Sequence, residues 1–128
     1  MRYDESHEQQ DLFRRAAFRR FLDGTVRDYI YAVPNAGTTG GRRAAIAGVR
    51  RKAEGLTPGI PDVECMVSVG NYSGLHIEMK RKDGVPSDVS AEQKKVMARL
   101  TKCGRLCVVA YGADEAWNAL MNYLKQVP

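Results

Sequence analysis

Two short motifs of this 128-residue chain carry side chains suited to metal-assisted chemistry. Asp62 follows Gly59-Ile60-Pro61 at the start of one apolar run, and Glu78 and Lys80 stand two residues apart in the next. Alternate side chains of a strand share a face, so Glu78 and Lys80 point the same way, about 7 Å apart at Cα. If the two runs pair as a hairpin, Asp62 converges on them. Two carboxylates and an ammonium group at the end of a sheet suit phosphodiester hydrolysis with a divalent cation.

In this interpretation Asp62 and Glu78 hold one or two Mg²⁺ or Mn²⁺ ions, with the main-chain carbonyl of Met79 as a further oxygen ligand. Lys80 orients or helps to deprotonate the attacking water and offsets charge in the transition state. The competing interpretation is an ion pair between Glu78 and Lys80 on a solvated strand, which spacing alone favours. The apolar neighbours Ile77 and Met79 support the metal site, because two carboxylates buried close together need a cation nearby.

Hydrophobic periodicity and turn residues place these motifs in a single α/β domain spanning residues 1–128. The predicted helices and strands follow the order α-β-α-β-β-α-β-α, a mixed central sheet flanked by helices. The helices are expected at 5–22, 42–54, 91–102 and 113–124, and the strands at 29–33, 62–69, 75–81 and 106–111. The last strand is expected to run parallel to the Glu78 strand, because a helix joins the two.

The first helix is expected to bring a carboxylate and an amide to the edge of the core. Glu5 and Gln9 begin an i, i+4 stripe whose later members are apolar and which ends at Phe21. Glu8 begins the neighbouring stripe with Leu12 and is a rival for the same role. The sequence leaves open which of the two acids reaches the site.

Charge indicates a polyanionic partner. The formal net charge is +5 and the pI is near 9.3, and basic clusters of this kind are typical of nucleic-acid binding. Arg42, Arg43, Arg50 and Lys52, in the second predicted helix, are expected to contact phosphates. Three cysteines without zinc-ligand spacing indicate free thiols in a reducing compartment. No apolar run or signal peptide indicates a membrane, so the cytoplasm is expected, that of the host if the protein is viral.

Taken in order, seven short motifs resemble one known family. They look like those of the VRR-NUC domain, within the PD-(D/E)XK nuclease superfamily, and extend from about Asp4 to Leu124. Their order and spacing make the set specific. The motifs are Glu5-x-x-Glu8-Gln9, Val33-Pro34-Asn35-x-Gly37, Lys52-x-Glu54-Gly55, Gly59-x-Pro61-Asp62, Ile77-Glu78-Met79-Lys80, Ser90-x-Glu92-Gln93 and Tyr111-Gly112.

The resemblance implies a restriction-endonuclease-like core and a Mg²⁺- or Mn²⁺-dependent DNA endonuclease, with the strand residues in the roles given above. It adds Glu5 as a catalytic metal ligand, Gln9 beside it as a nucleic-acid contact, and Gln93 as a supporting catalytic residue. Domains of this size resemble Holliday-junction resolvases, which are homodimers that cut branched DNA. The alternative is a non-catalytic DNA-binding module of a repair or packaging assembly. One departure is His76, which stands where the family has an apolar residue.

Overall fold

Four helices and six strands lie within the residues that the computed structural model describes, which are 4–34 and 41–128, with side chains from 45 onward in the second range. Two 3₁₀ turns, Val26–Tyr29 and Pro86–Asp88, connect them. In chain order the elements are α1 (Glu5–Ala16), β1 (Arg20–Phe21), β2 (Gly24–Thr25), β3 (Ile30–Ala32), α2 (Gly41–Ala53), β4 (Val63–Cys65), β5 (Leu75–Lys80), α3 (Ala91–Lys102), β6 (Leu106–Tyr111) and α4 (Ala113–Leu124).

The central sheet has four strands in the order β3-β4-β5-β6. β3 and β4 are antiparallel, as are β4 and β5, whereas β5 and β6 are parallel and are joined through α3. The crossover helix returns the chain to the same edge, as parallel pairing requires. The predicted mixed sheet flanked by helices is confirmed, and so is the order of its main elements.

The end of the first predicted helix is wrong. The helix stops at Ala16 rather than at residue 22, and residues 20–25 form the small hairpin β1–β2. Phe21 leaves the helical stripe and packs edge-on against Tyr29, with ring centroids 5.2 Å apart. The i, i+4 spacing of apolar residues does not distinguish a continuing helix from a turn whose aromatic side chain finds a partner elsewhere.

The strand predicted for 62–69 is also too long. Its ladder covers only Val63–Cys65, and a separate antiparallel bridge joins Val69 to Tyr72. The neighbouring strand β3 is three residues long and pairs with the same three positions. Apolar alternation continues beyond the point where a partner strand ends, so the sequence overestimates the strand length.

The hydrophobic core lies between one face of the sheet and the helices α1 and α4. Leu75, Ile77 and Met79 alternate toward this face and are fully buried, together with Leu12 of α1 and Leu120 of α4. Burial of each such side chain contributes about 1.5–3 kcal/mol. All six residues of β5 are buried, so the polar side chains on its opposite face are also enclosed.

The turn between α2 and β4 depends on a glycine. Gly59 has a φ of +89°, and a Cβ there would lie 2.9 Å from the main-chain oxygen of Glu92, near the start of α3. Pro61, which follows, is fully buried. A residue without a side chain allows this close approach, which holds the chain entering β4 against α3.

We expect Gly59→Ala to destabilise the fold more than Gly55→Ala. Gly55 has a φ of +106°, and apart from its chain neighbours no described residue has an atom within 4 Å of its Cβ position. Its substitution therefore adds only left-handed backbone strain, about 1–2 kcal/mol. At Gly59 the collision with the main chain of Glu92 is added. Urea unfolding followed by circular dichroism measures both losses. Equal losses in the free energy of unfolding would contradict the close contact with α3.

Candidate active site

The antiparallel pairing of β4 and β5 brings two carboxylates together. Val63 lies opposite Ile77, so one step along the ladder Asp62 faces Glu78 on the same side of the sheet. Oδ2 of Asp62 accepts a hydrogen bond of 2.9 Å from the main-chain N–H of Met79, which fixes the carboxylate against β5. Asp62 is 8% exposed and Glu78 is 3% exposed. The hairpin pairing on which the sequence interpretation depended is confirmed.

The main-chain carbonyl of Met79 lies beside these acids. In the register of β4 and β5, the residue opposite Met79 is Pro61. Proline has no N–H, so this position cannot donate a ladder hydrogen bond to the carbonyl. The oxygen of Met79 therefore remains a candidate metal ligand.

Gln93 joins both charged residues of β5 to the start of α3. Its Nε2 donates to Oε1 of Glu78 at 2.9 Å, and its Oε1 accepts from Nζ of Lys80 at 3.2 Å. The same Oε1 accepts from the main-chain N–H of Ser90 at 2.9 Å, while Oγ of Ser90 accepts from the N–H of Gln93 at 3.1 Å. The capping box that begins α3 is thus continuous with the site.

Lys80 and Glu78 are enclosed rather than solvated. Their closest charged atoms, Nζ and Oε1, are 3.9 Å apart, and the side chains are 7% and 3% exposed. The competing interpretation of this motif, an exposed ion pair on the surface, does not account for this burial. Burying a charged group costs free energy unless a partner compensates it. The burial of both groups therefore indicates a role other than keeping the protein surface soluble.

The surroundings of Glu78 favour its protonated form at neutral pH. Burial and the adjacent Asp62 carboxylate together raise the pKa of Glu78 to about 8, although Lys80 opposes the shift. Oε2 of Glu78 has no hydrogen-bond partner in the described part of the chain. A divalent cation would neutralise the two carboxylates and give this oxygen a partner.

These donors fit a hard cation with few protein ligands. Among residues 4–34 and 45–128, no three His, Cys, Asp or Glu side chains cluster closely enough to hold a metal ion together. Mg²⁺ is commonly held by one or two carboxylates and keeps several waters. Asp62, Glu78 and the carbonyl of Met79 offer oxygen donors of this kind.

Glu5, rather than Glu8, is the acid of α1 on the side of Asp62. Glu5 is exposed, lines a surface depression together with Gln9 and Asp62, and adds to the charge that raises the pKa of Glu78. Gln9 is half-buried there. These placements leave Glu5 near the two acids of the sheet.

The expected burial pattern of α1 is wrong. Its buried residues are Glu8, Leu12 and Ala16, the stripe next to the one that begins with Glu5. The carboxylate of Glu8 turns toward the start of α4, where its Oε2 lies 2.7 Å from the Cβ position of Gly112. The reason is that Phe21, which extended the Glu5 stripe in the sequence, does not belong to the helix.

No protein-family model matches the chain, and no curated protein is significantly similar to it. Among solved structures, one described as a VRR_NUC domain protein superimposes with a TM-score of 0.82 at 25% identity, covering 98% of this chain and 92% of that one. The chain therefore has the fold of this VRR_NUC domain protein, and the resemblance inferred from the motifs is confirmed.

A second polar cluster lies beside the acids on the same face of the sheet. Glu64 is opposite His76, and Nη1 of Arg105 contacts Oε1 of Glu64 at 2.6 Å and Nε2 of His76 at 3.2 Å. A guanidinium only donates, so Nε2 accepts and the proton of His76 is on Nδ1. A hydrogen bond with Glu64 raises the pKa of Tyr31 to about 12. The contact with Arg105 holds the ring of His76 in place.

The sequence interpretation of this cluster was incomplete. Glu64 is paired with Arg105, and the sequence motifs singled out neither residue. Only the parallel crossover could have indicated this pair from the sequence. Because Leu106 aligns with Leu75, Arg105 lies at the end of β5 that is near Glu64. Such a register is a tertiary property, and local periodicity does not report it.

Four of the predicted phosphate-binding residues lie on α2. Arg50 and Lys52 are exposed, and Nε of Arg50 is 3.2 Å from Oε1 of Glu54. The side chains of Arg42 and Arg43, and residues 35–40 before them, lie outside the described residues. No described helix is long and apolar enough to span a membrane.

We expect the free energy of unfolding of the protein, measured in EDTA, to fall as the pH rises between about 5 and 8. Above its ordinary pKa of 4.5 Glu78 ionises in the unfolded chain, whereas the folded chain keeps the proton until about pH 8. The folded state then binds more protons, so the free energy of unfolding decreases with pH. Urea unfolding of wild type and Glu78→Gln at several pH values measures this slope.

Glu78→Gln should reduce that slope, and Glu54→Gln, which changes an exposed glutamate, should keep it. Wild type and Glu78→Gln with the same pH dependence would contradict the assignment of the raised pKa to Glu78.

Proposed function

We propose that this VRR-NUC domain is a Mg²⁺- or Mn²⁺-dependent endonuclease that hydrolyses DNA phosphodiester bonds. The observation that carries the proposal is the enclosed pair of Asp62 and Glu78 with Lys80 alongside. Among the described residues, Oε2 of Glu78 has no hydrogen-bond partner. The net charge of +5 suits a polyanionic substrate. The structural likeness to a VRR_NUC domain protein supports a nuclease activity.

In this proposal Asp62 and Glu78 hold the cation, with the carbonyl of Met79 as a third protein oxygen and Glu5 as an acid at the edge. When bound, the cation supplies a Lewis acid and lowers the pKa of a coordinated water. Lys80 orients the attacking water and stabilises negative charge on the phosphate oxygens. These are the roles that the sequence analysis assigned, and they remain proposals.

Gln93 acts through the two residues it contacts. One amide group donates to Glu78 and accepts from Lys80, so it fixes the carboxylate and the ammonium relative to each other. The capping box fixes Gln93 in turn. A positioning residue of this kind lowers the cost of arranging catalytic groups at the moment of reaction.

We extend the proposal to branched DNA cut by a homodimer. Two strands of a symmetric junction require two sites, and C₂ pairing is the commonest assembly. Recognition would rest on shape and phosphate contacts. The alternative function is a non-catalytic DNA-binding module of a repair or packaging assembly. The coexistence of Asp62, Glu78 and Lys80 in one buried network supports the enzyme, because a binding module gains nothing from enclosing them.

We expect Lys80→Met to reduce metal-dependent cleavage of a four-way junction by about 100-fold or more. The substitution keeps the length of the side chain and removes its charge. Lys82→Met, at an exposed lysine two residues further on, should stay within about threefold of wild type. The assay compares a labelled junction, a flap and a linear duplex with Mg²⁺, Mn²⁺ or EDTA. Binding without cleavage under any of the metal conditions would contradict the nuclease proposal.

Metal binding itself has a readout independent of cleavage. We expect Mg²⁺ or Mn²⁺ to raise the melting temperature of the wild-type domain, because a ligand that binds only the folded state stabilises it. Asp62→Asn and Glu78→Gln should lose this response. Glu64→Gln is the matched control, because Glu64 lies on the same strand face but is already paired with Arg105. A response unchanged in Asp62→Asn would contradict the proposed metal site.

A further inference from the structure

Helix α2 accounts for the whole net charge of the chain. Five of the 20 Lys and Arg residues and none of the 15 Asp and Glu residues lie between Gly41 and Ala53, and the formal net charge is +5. The rest of the chain is therefore balanced in formal charge. A polyanion near the domain is drawn to this helix in preference to other surfaces.

The same helix exposes an apolar stripe. Ile46 and Val49, three residues apart, are 60% and 71% exposed. At about 100° per residue they share a narrow face with Ala53, bordered by Arg50 on one side and Lys52 on the other. No other helix or strand in the described part of the chain packs extensively against α2. Large apolar side chains in the middle of a basic surface mark an interaction site.

Both ends of the segment that contains α2 return to the acid end of the sheet. The main-chain N–H of Val33, after β3, donates to the oxygen of Asp62 at 2.8 Å. The chain leaves the sheet there and comes back to Asp62 after α2, through the Gly59 turn against Glu92. The segment that contains α2 therefore begins and ends at the edge of the sheet that carries the candidate active site.

We propose that Ile46 and Val49 form an apolar wedge that contacts unstacked bases at the branch point of the DNA, while Arg50 and Lys52 bind the flanking phosphates. The inference rests on the proposed function and deepens it. DNA presents the faces of its bases only where stacking is interrupted, and apolar side chains insert at such steps. A second copy of the chain fits less well, because two α2 helices set face to face bring together two groups of five positive charges.

The test uses the double variant Ile46→Ser/Val49→Ser and the control Phe18→Ser. Phe18 is 86% exposed and follows the end of α1. Its replacement by serine therefore removes a comparable apolar surface outside α2. Binding is measured in EDTA by fluorescence anisotropy, with a four-way junction and a linear duplex of the same composition. A 2-aminopurine at the branch point reports unstacking. Because the replaced side chains are exposed, circular dichroism should show both variants folded.

The wild type should raise the 2-aminopurine fluorescence of the junction, and the double variant should not. The Kd of the double variant for the junction should rise about tenfold, with the duplex Kd within about twofold of wild type. Phe18→Ser should behave as wild type in both measurements. Lys80→Met should bind and unstack the junction normally but fail to cut it, which separates the wedge from the chemistry.

An unchanged ratio of junction to duplex affinity in the double variant would overturn the wedge, and so would an equal loss in Phe18→Ser. Light scattering that shows a wild-type dimer and a monomeric double variant would also overturn it, by identifying the stripe as an interface between copies. A wild type that binds no DNA overturns both the wedge and the proposed function. A wild type that unstacks the junction but never cuts it with metal supports the wedge and overturns only the nuclease activity.

Discussion

The enclosure of two carboxylates on one face of β5 is the constraint around which the site is arranged. Both faces of this strand are buried, and the ladder sets Asp62 directly beside Glu78. Two like charges in such surroundings repel, and burial alone raises the pKa of Glu78. The protein offsets part of this cost with fixed donors, the N–H of Met79 and the amide of Gln93. One oxygen of Glu78 still lacks a partner among the described residues.

Rigid parts of the fold hold that arrangement. The Gly59 turn holds the chain entering β4 against α3, and the capping box of α3 orients Gln93. Each of these features contributes to folding on its own, and each also fixes a side chain of the site. The same hydrogen bonds stabilise the fold and orient the site residues. The start of α3 and the end of β5 therefore determine the geometry of the two acids. A preorganised site of this kind avoids reorganisation during a reaction.

Charge is divided between two parts of the molecule. The sheet and its covering helices balance their charges, as in the half-buried pair of Glu64 and Arg105. The excess is confined to α2, which is the helix with the least packing against the rest of the domain. A helix that contributes little to the core is free to carry a basic surface and exposed apolar groups, because neither disturbs the packing that supports the acids.

The sequence by itself determined the architecture and the core of the site. Period-two and period-3.6 patterns, glycine turns and the Ser90 cap gave the mixed sheet, the order of its main elements, and the hairpin that pairs Asp62 with Glu78. These features depend on local chemistry and on short connections, which a linear pattern records. The catalytic and metal-binding roles of these residues, and of Glu5 and Gln93, remain predictions.

Tertiary structure decided what depends on distant partners. It ended α1 at Ala16 because Phe21 packs on Tyr29, and so turned Glu8 inward and left Glu5 on the side of Asp62. It paired Glu64 with Arg105, 41 residues away. It also enclosed Glu78 and Lys80, although spacing alone favours a surface ion pair between them. Register and burial arise from contacts between separate segments, and one segment's sequence does not contain them.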